Sequence, residues 1–343
     1  MAIEVIGTGK SVPPTRMSNE DLAKAKNIDT NDEWIRSHTG IGHRHLADEN
    51  TACSDLALEA AKNAIDMVAE KTGETPEAII ASLDIIVVGT ATPDYLGFPS
   101  TACIIQGQLG AVNAGAFDVA AGCTAFVYGL ETAQALLSVN KNRKRALVIG
   151  AEILSKIANW DDRSTCVLFG DGAGAAIIEK TGAPLEGKDR RGIICSIIGA
   201  DGTGTEHLIM RQGGTRHPFK KGDRIDMPPY LEMNGRAVYN FAVKTLVKTV
   251  EDLLAQGDIT MDDVTLVVPH QANARIVQAA AHRLHIPEEK FFLNIEEYAN
   301  TSAASIPIAL DELNRDGRLK RGDIILTLGF GAGLTYGGNL IVW

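Results

Sequence analysis

The chain has 343 residues, of which 45% are hydrophobic and 22% are charged, and its formal net charge is −10 at pH 7. This composition is typical of a globular protein, and the length predicts about two domains or two halves of one larger core. Lys and Arg are dispersed along an acidic chain, so we expect no nucleic-acid binding.

The cysteines and the N-terminal segment predict the cellular compartment. Five cysteines lie far apart, without a CxxC motif or a Cys/His cluster. This spacing argues against a zinc site and against a disulfide framework, and it fits a reducing cytoplasm. The first residues lack the basic region and long apolar run of a signal peptide, and no apolar run approaches the ~18–20 residues that span a bilayer. We therefore expect a cytoplasmic protein that does not bind membranes.

Strands and helices are predicted to alternate through the first half of the chain. The predicted strands are 3–9, 84–89, 115–119 and 145–150, the predicted helices are 52–71, 100–109 and 124–138, and a loop covers 90–99. The helix 52–71 has an apolar face and ends near Gly73. The segment 166–179 is predicted to form two strands around a Gly-rich turn.

The second half repeats this order. Its predicted strands are 192–198, 263–268, 291–296, 323–333 and 338–343, and its predicted helices are 234–256, 272–284 and 300–314. The order of strands and helices alone would make any α/β chain resemble a repeat. Here three polar strand ends also fall at corresponding places in the two halves. We therefore predict two pseudo-symmetric βαβαβαββ halves, residues 1–183 and 184–343, with mostly parallel sheets covered by helices.

One strand end carries a cysteine in a setting that suits a nucleophile. Cys123 lies between the predicted strand 115–119 and the helix 124–138, in which Glu131 is the only charge, so that we expect this helix to be buried on all sides. The N–H groups and dipole at a helix N-terminus favour an anion, which predicts a lowered thiol pKa. Small residues, Ala121 and Gly122, leave room for a substrate. A core cysteine is the alternative.

A histidine and an asparagine occupy the other two polar strand ends. Asn300 lies at the corner equivalent to that of Cys123, and His270 lies at the corner equivalent to the 90–99 loop. Ligands of such sheets bind beyond the carboxyl ends of the strands, where all three corners point. A Cys nucleophile with His and Asn as hydrogen-bonding groups suits a thiol enzyme. A helix cap for Asn300 and a buried structural role for His270 are the alternatives.

The motifs taken together resemble the β-ketoacyl-acyl carrier protein synthase III family over essentially the whole chain. The motifs are Asn31-Asp-Glu-Trp-Ile, His38-Thr-Gly-Ile, Gly122-Cys-Thr-Ala-Phe, Phe169-Gly-Asp-Gly-Ala-Gly-Ala-Ala, Met233-Asn-Gly-Arg, Val268-Pro-His-Gln-Ala-Asn, Tyr298-Ala-Asn-Thr-Ser-Ala-Ala-Ser and Gly329-Phe-Gly-Ala-Gly. The resemblance implies a thiolase-like fold with a layered α-β-α-β-α core, and a homodimer.

The resemblance also implies a mechanism and the residues that carry it. Cys123 would take an acyl group from acyl-CoA, with the N–H groups of Cys123 and Ala332 as the oxyanion hole. His270 and Asn300 would stabilise the enolate that forms when malonyl-acyl carrier protein loses CO₂, and the enolate would attack the acyl-Cys123. This chemistry requires no metal and no redox cofactor.

Further residues correspond to substrate-binding positions of the family. Trp34 and Arg163 would sandwich the adenine of CoA, and His38, Asn273 and Arg275 would lie near the CoA entrance. A buried tryptophan and solvated surface arginines are the alternative interpretation of these positions.

Carrier-protein recognition and primer length are predicted from single positions. Arg275, His282 and Arg283 share one face of the helix 272–284 and form a predicted patch for an acidic carrier protein. Phe98 corresponds to the position that reaches across the dimer into the acyl pocket, and its bulk predicts a short primer such as acetyl.

Two positions depart from the family pattern. His38 replaces an Arg and Asn240 replaces a frequent Lys, so that weaker CoA binding or another donor is expected, unless Arg36 compensates. These departures leave open a related ketosynthase of secondary metabolism or unusual-primer synthesis, with another acyl donor or a CoA-bound acceptor. HMG-CoA synthase, which has the same fold, is another alternative, but it needs an acidic catalytic residue that none of these motifs supplies. A Cys-His-Asn hydrolase and a non-catalytic partner subunit are disfavoured, because the protease signature is missing and the three site residues are present.

Overall fold

Strands and helices alternate along the chain in the computed structural model, which describes residues 1–187, 189–220, 222 and 230–343. The strands are β1 (Ile3–Ser11), β2 (Arg16–Ser18), β3 (His43–His45), β4 (Leu83–Gly89), β5 (Gly115–Val119), β6 (Arg145–Ile153), β7 (Asp171–Lys180), β8 (Gly192–Ala200), β9 (Leu208–Met210), β10 (Leu231–Met233), β11 (Leu266–Pro269), β12 (Ile324–Gly331) and β13 (Thr335–Val342). The helices are α1 (Asn19–Lys26), α2 (Asp32–Thr39), α3 (Cys53–Thr72), α4 (Pro76–Ala81), α5 (Thr101–Leu109), α6 (Ala125–Val139), α7 (Arg163–Cys166), α8 (Gly235–Gly257), α9 (Ala274–Leu284), α10 (Ile295–Tyr298) and α11 (Ser305–Arg315).

Two mixed sheets form the frame of the molecule. The first has the strand order β1-β7-β6-β4-β5 and the second has the order β11-β12-β13-β8. Only β4 with β5, β4 with β6, and β11 with β12 run parallel within these sheets. The prediction of mostly parallel sheets is therefore wrong. In each half the final strand runs antiparallel to the strand before it, and the first strand then pairs antiparallel with that final strand.

The sheets and helices stack in five layers. Helices α3 and α5 cover the outer face of the first sheet, and α8 and α9 pack on the second. Helices α6 and α11 lie between the sheets, and their apolar side chains fill the central core, for example Phe126 and Leu130 of α6 and Ile306 and Leu310 of α11. This arrangement confirms the predicted layered α-β-α-β-α core. Helix α6 is not buried on all sides as predicted: Ala133 and Leu137 in its later turns are buried, but Ala135, Ser138 and Val139 are exposed.

The segment 166–179 forms one strand and not two. Cys166 ends the short helix α7, and β7 then runs without interruption through Gly172 and Gly174. These glycines allow close packing: a Cβ on Gly174 would lie 2.6 Å from the backbone of α11. The predicted turn is therefore wrong. The glycines let β7 pack closely against α11, which is distant in sequence, and the chain does not reverse there.

The strand predicted at 291–296 is also absent. Phe291 makes an isolated parallel bridge to Val267, and the chain then turns into α10. The side chain of Gln271 takes the place of a neighbouring strand: its Nε2 donates to Phe292 O at 3.1 Å and its Oε1 accepts from Asn294 N at 3.2 Å. A side chain from another loop thus satisfies the backbone groups of this segment.

Three further features bear on the predicted environment. All five cysteines are free thiols. Within the described ranges, no group of three or more acidic, His or Cys side chains is placed to hold a metal ion. No helix in the described part of the chain combines the length and apolarity needed to cross a bilayer.

Candidate active site

Cys123 lies in a single 3₁₀ turn, Gly122–Thr124, between β5 and α6. Gly122 has φ +51°, and a Cβ there would lie 3.1 Å from the backbone nitrogen of Ala332. A Cβ on Gly331 would lie 3.0 Å from the Cys123 sulfur. Glycine is therefore required at both positions, because the turn after β12 approaches the thiol too closely for any side chain.

The environment of the thiol opposes its ionisation. Burial raises the pKa of Cys123 to about 11, and the charge of Glu152 contributes to this rise. Hydrogen bonds from the Ser302 side chain and from the backbone N–H groups of Cys123 and Ala332 act in the opposite direction. The predicted lowering of the thiol pKa is therefore wrong, because desolvation outweighs the helix N-terminus. The two predicted oxyanion-hole N–H groups do converge on the sulfur.

His270 follows β11 and is 1% exposed. Its backbone N–H donates to Leu328 O at 2.7 Å, and its ring packs edge-on against Phe330 with centroids 5.2 Å apart. Its Nδ1 lies 2.7 Å from Ser305 Oγ, which itself lies 2.8 Å from Ser302 O. Burial lowers the pKa of His270 to about 3, so that the ring is neutral at physiological pH. The direction of the hydrogen bond with Ser305 sets the tautomer of the ring: if Ser305 Oγ donates to Nδ1, the hydrogen is on Nε2, and if Nδ1 donates to Ser305 Oγ, the hydrogen is on Nδ1.

Asn300 holds the turn that follows it and also lines the cavity. Its backbone bridges to the strand region before β7, with N–H donating to Leu168 O at 2.9 Å and its carbonyl accepting from Gly170 N at 3.0 Å. Its side-chain Oδ1 accepts from Ser302 N at 2.8 Å, which closes a local turn over Thr301, the cap residue of the 3₁₀ turn Ser302–Ala304. Its amide group lines the same cavity as Cys123 and His270.

A cavity of about 260 Å³ joins most of the predicted site. The predicted residues that line it are Trp34, His38, Cys123, His270, Asn273, Asn300 and Ala332. Apolar side chains of α8, α9 and the 154–169 segment form most of the remaining wall. The cavity thus connects the thiol at its inner end with the tryptophan of α2.

The Trp34 ring already has two neighbours. The His38 ring stacks on it with centroids 4.5 Å apart, and the Arg163 guanidinium lies 5.1 Å from its centre. Asn273 caps α9 and donates from Nδ2 to His38 O at 3.1 Å. Arg36 pairs with Asp32 at 2.8 Å and with Glu296 at 2.7 Å, so it can replace the missing Arg at position 38 only if these ion pairs break.

Other predicted residues lie outside the cavity. Arg275, His282 and Arg283 are exposed on α9, opposite the face that is buried against the core. Phe98 is 88% exposed on the 90–99 loop and does not line the cavity of its own chain. Asn240 is exposed on α8 next to a cavity-lining residue.

The sequence interpretation missed Glu152 and Ser302. Glu152 is 0% exposed, and its carboxylate accepts from Ser302 Oγ at 2.9 Å. A signal existed for both: Glu152 is the one acidic residue in an otherwise apolar strand end, and Ser302 belongs to the Asn300-Thr-Ser motif.

Comparisons with known proteins agree with this geometry. The family profile "3-Oxoacyl-[acyl-carrier-protein (ACP)] synthase III" matches residues 117–202, and its C-terminal counterpart matches residues 254–343. A β-ketoacyl-[acyl-carrier-protein] synthase III from Caldanaerobacter subterraneus is 46% identical over 343 residues, with 100% of this chain and 98% of that protein covered. The chain belongs to the 3-oxoacyl-[acyl-carrier-protein] synthase III family. The family predicted from the sequence motifs is confirmed.

Solved structures of this synthase III family share the fold. The 3-oxoacyl-[acyl-carrier-protein] synthase III from Aquifex aeolicus VF5 is 41% identical, with full coverage of both chains and a TM-score of 0.85. The priming β-ketosynthase of the R1128 polyketide biosynthetic pathway is 32% identical, with 99% of this chain and 96% of that chain covered and a TM-score of 0.86. The two profile matches include Cys123 in one segment and both His270 and Asn300 in the other.

Proposed function

We propose that this protein condenses a short acyl group from acyl-CoA, acetyl-CoA in particular, with malonyl-acyl carrier protein and so initiates type II fatty-acid synthesis. The observation that carries the proposal is the convergence of a thiol, a neutral imidazole and an amide on one cavity, with Cys123 and His270 supplied by the ends of β5 and β11 and Asn300 by the segment after α10. Membership of the synthase III family supports the same reaction.

In the first half-reaction, Cys123 attacks the thioester carbonyl of acyl-CoA. A C–S bond forms at Cys123, the C–S bond to CoA breaks, and CoA leaves as the free thiol. The N–H groups of Cys123 and Ala332 contact the sulfur. We propose that they donate to the oxyanion of the tetrahedral intermediate, which forms on the carbon bonded to this sulfur. A preorganised donor of this kind typically contributes ~10²–10³ in rate.

In the second half-reaction, malonyl-acyl carrier protein loses CO₂ and forms an enolate. In the tautomer with hydrogen on Nε2, Ser305 Oγ donates to His270 Nδ1 instead of to Ser302 O, and Nε2 then donates to the enolate oxygen. The Asn300 amide, which lines the same cavity, donates to it as well. Because His270 is neutral, it stabilises the enolate oxygen as a hydrogen-bond donor and not as a cation. The enolate carbon attacks the acyl-Cys123 carbonyl and releases 3-oxoacyl-carrier protein. The proposed chemistry uses no metal and no redox cofactor.

Substrate binding is proposed along the outer part of the cavity. The adenine of CoA is placed at Trp34, where it enters between the Trp34 ring and the Arg163 guanidinium once Arg163 moves outward from its present 5.1 Å. His38 and Asn273 line the approach to the thiol. The exposed Arg275, together with His282 and Arg283, forms a basic patch on α9 that suits an acidic carrier protein.

Phe98 supports a homodimer and a short primer. An 88% exposed phenylalanine on a loop beside other exposed apolar residues, Tyr95 and Leu96, suits burial against a second copy of the chain. We propose that Phe98 reaches the acyl pocket of the partner subunit. Replacement of Phe98 with Thr is then expected to admit longer acyl groups, and no gain of longer-chain activity would contradict this role.

The structural division and cellular location remain proposals. All strands of the five-stranded sheet lie within residues 3–180 and all strands of the four-stranded sheet lie within 192–342, which supports halves at 1–183 and 184–343. We propose a cytoplasmic location because all five cysteines are free thiols, which suits a reducing compartment.

A second candidate is a ketosynthase of secondary metabolism or unusual-primer synthesis. The similarity to a priming ketosynthase of a polyketide pathway favours it, as does the unusual His38 at the cavity entrance. It differs from the first candidate in the acyl donor or in a CoA-bound acceptor, and it uses the same three site residues.

The deciding experiment is intact mass after incubation with acetyl-CoA or octanoyl-CoA, for the wild type and Cys123→Ser. An acetyl adduct in the wild type alone, which is then consumed by malonyl-carrier protein, is the expected result. Consumption by malonyl-CoA but not by malonyl-carrier protein favours the second candidate. An adduct from octanoyl-CoA alone contradicts the short-primer proposal, and the absence of any adduct contradicts the proposed function.

A further inference from the structure

A buried carboxylate lies next to the nucleophile, and the proposed function does not use it. Glu152, at the end of β6, accepts from Thr92 Oγ1 at 2.7 Å, from Ser302 Oγ at 2.9 Å and from Ala91 N at 3.1 Å. Thr90 Oγ1 lies 3.4 Å away. Among the ion pairs of the described residues, none involves Glu152. The carboxylate is therefore stabilised only by hydrogen bonds from uncharged hydroxyl and backbone N–H groups.

Two titratable groups face Glu152 from the elements packed around it. They are Cys123, in the turn before α6, and Cys53, at the first turn of α3, and the charge of Glu152 raises the pKa of both thiols. The neighbouring ends of β4 and of the 3₁₀ turn Ser302–Ala304 contribute hydroxyl and N–H groups without charge. Cys53 contacts Thr90 Oγ1 at 3.5 Å and is 3% exposed, away from the substrate cavity.

Ser302 connects the carboxylate to the nucleophile. Its hydroxyl has a single proton, which it donates to Glu152 Oε1 in this structure, and the same hydroxyl lowers the pKa of Cys123 when it donates to the thiolate instead. The Ser302 backbone has φ +48°, a left-handed conformation that is unusual for serine. Its N–H donates a hydrogen bond to Asn300 Oδ1 at 2.8 Å. Such conformations persist where the surroundings impose them and are concentrated at functional sites. The imposed geometry places one hydroxyl between thiol and carboxylate.

The other candidate base is poorly matched to the thiol. Burial lowers the pKa of His270 to about 3, so that its ring holds a proton only in strong acid. Burial raises the pKa of Glu152 to about 7. A general base is most effective when its pKa lies near the working pH, which favours the carboxylate.

We propose that Ser302 and Glu152 form the proton relay of Cys123 during acyl transfer. The inference deepens the proposed function and rests on it. As the Cys123 sulfur attacks the thioester, its proton passes to Ser302 Oγ while the Ser302 proton passes to Glu152. When the C–S bond to CoA breaks, the proton returns from Glu152 through Ser302 to the departing CoA sulfur. The net reaction is Cys–SH plus acyl-S-CoA giving acyl-S-Cys plus CoA–SH, with no proton gained or lost.

The test is the single-turnover rate of Cys123 acylation by acetyl-CoA as a function of pH, followed by rapid quench and intact mass. The wild-type rate is expected to rise to a plateau with a midpoint near pH 7, the pKa of Glu152. Glu152→Gln is expected to be about 100-fold slower at pH 7 and to lose this midpoint, with a rate that keeps rising with hydroxide. A Glu152→Gln profile that keeps the midpoint near pH 7 overturns the proposal.

Two matched variants separate the relay from a structural role. Thr92→Val removes one donor to the carboxylate but leaves Ser302 in place, and it is expected to move the midpoint upward by about one pH unit. Asp171→Asn alters another buried carboxylate, which is held by Ser155 and Ala47 N, and is expected to leave the midpoint unchanged. An unshifted midpoint in Thr92→Val contradicts the relay even if Glu152→Gln fails to fold.

A second readout distinguishes the relay from the proposed function. Alkylation of Cys123 by iodoacetamide requires deprotonation but no CoA, and its pH profile is expected to change in the same way in Glu152→Gln. If the wild type forms no acyl adduct with acyl-CoA, the proposed function fails while the alkylation profiles still decide the relay. If the adduct forms and the alkylation profiles of wild type and Glu152→Gln coincide, the relay alone fails.

Discussion

Replacement of Gly150 with Ala is expected to damage both stability and catalysis. Gly150 lies in β6, two residues before Glu152, and a Cβ there would lie 2.1 Å from Ala303 O and 2.7 Å from Ala303 C. Ordinary contact begins at 3.4 Å, so that the strand and the 3₁₀ turn must separate by about 1 Å. The Cβ is fixed to the backbone of β6 and its contact atoms belong to the backbone of Ala303, so neither can rotate away as a long side chain can.

The magnitude follows from this separation. Overpacking of a dense interior typically costs about 1–3 kcal/mol, and a rigid backbone contact predicts the upper end, about 3 kcal/mol of the free energy of unfolding. The same shift moves Ser302 relative to Cys123, and a misplacement of about 1 Å typically costs about 10²-fold in rate. We therefore expect about 100-fold slower acylation of Cys123 in the fraction that remains folded.

Urea unfolding and single-turnover acylation with acetyl-CoA measure the two effects. The matched control is Gly107→Ala in α5, where nothing lies within 4 Å of the added Cβ. This control is expected to gain about 0.5–1 kcal/mol, because alanine suits a helix interior better than glycine, and to acylate normally. If Gly150→Ala loses less than 1 kcal/mol and acylates at the wild-type rate, the argument from tight packing of β6 against this turn is refuted.

Three further changes test the site. His270→Ala is expected to leave acetylation of Cys123 largely intact but to slow condensation with malonyl-carrier protein by ~10²–10³; equal losses in both half-reactions would count against its role at the enolate. His38→Arg is expected to lower the KM for acetyl-CoA about 2- to 5-fold at low salt with kcat unchanged, and an effect that persists at high salt would exclude an electrostatic cause. Burial raises the pKa of Glu152 from its ordinary 4.5 to about 7, so the folded state holds this proton more tightly than the unfolded state does. The wild type should therefore lose about 3 kcal/mol of stability between pH 4.5 and 7 relative to Glu152→Gln, and parallel unfolding curves for the two proteins would contradict this.

Local patterns predicted much of the chain because they depend on neighbouring residues. The apolar spacing of Leu56, Ala60 and Ala64 predicted α3, and all three are buried. Gly73 ends this helix in a left-handed conformation, as its position after the last apolar turn indicated. The residue order of the motifs around Cys123 and Asn300 also predicted the family, and the structure places both side chains on one cavity.

The sequence by itself determined most of the helices and strands, the family, and the strand ends that carry Cys123 and His270. Asn300 follows α10 and not the predicted strand. Tertiary structure decided the antiparallel return of β7 and β13, the replacement of a strand by the Gln271 side chain, and the raised pKa of the thiol. It also decided the contact of Glu152 with Ser302, which lie 150 positions apart. Such features arise from burial and hydrogen bonds between distant segments, and only the folded chain brings those segments together.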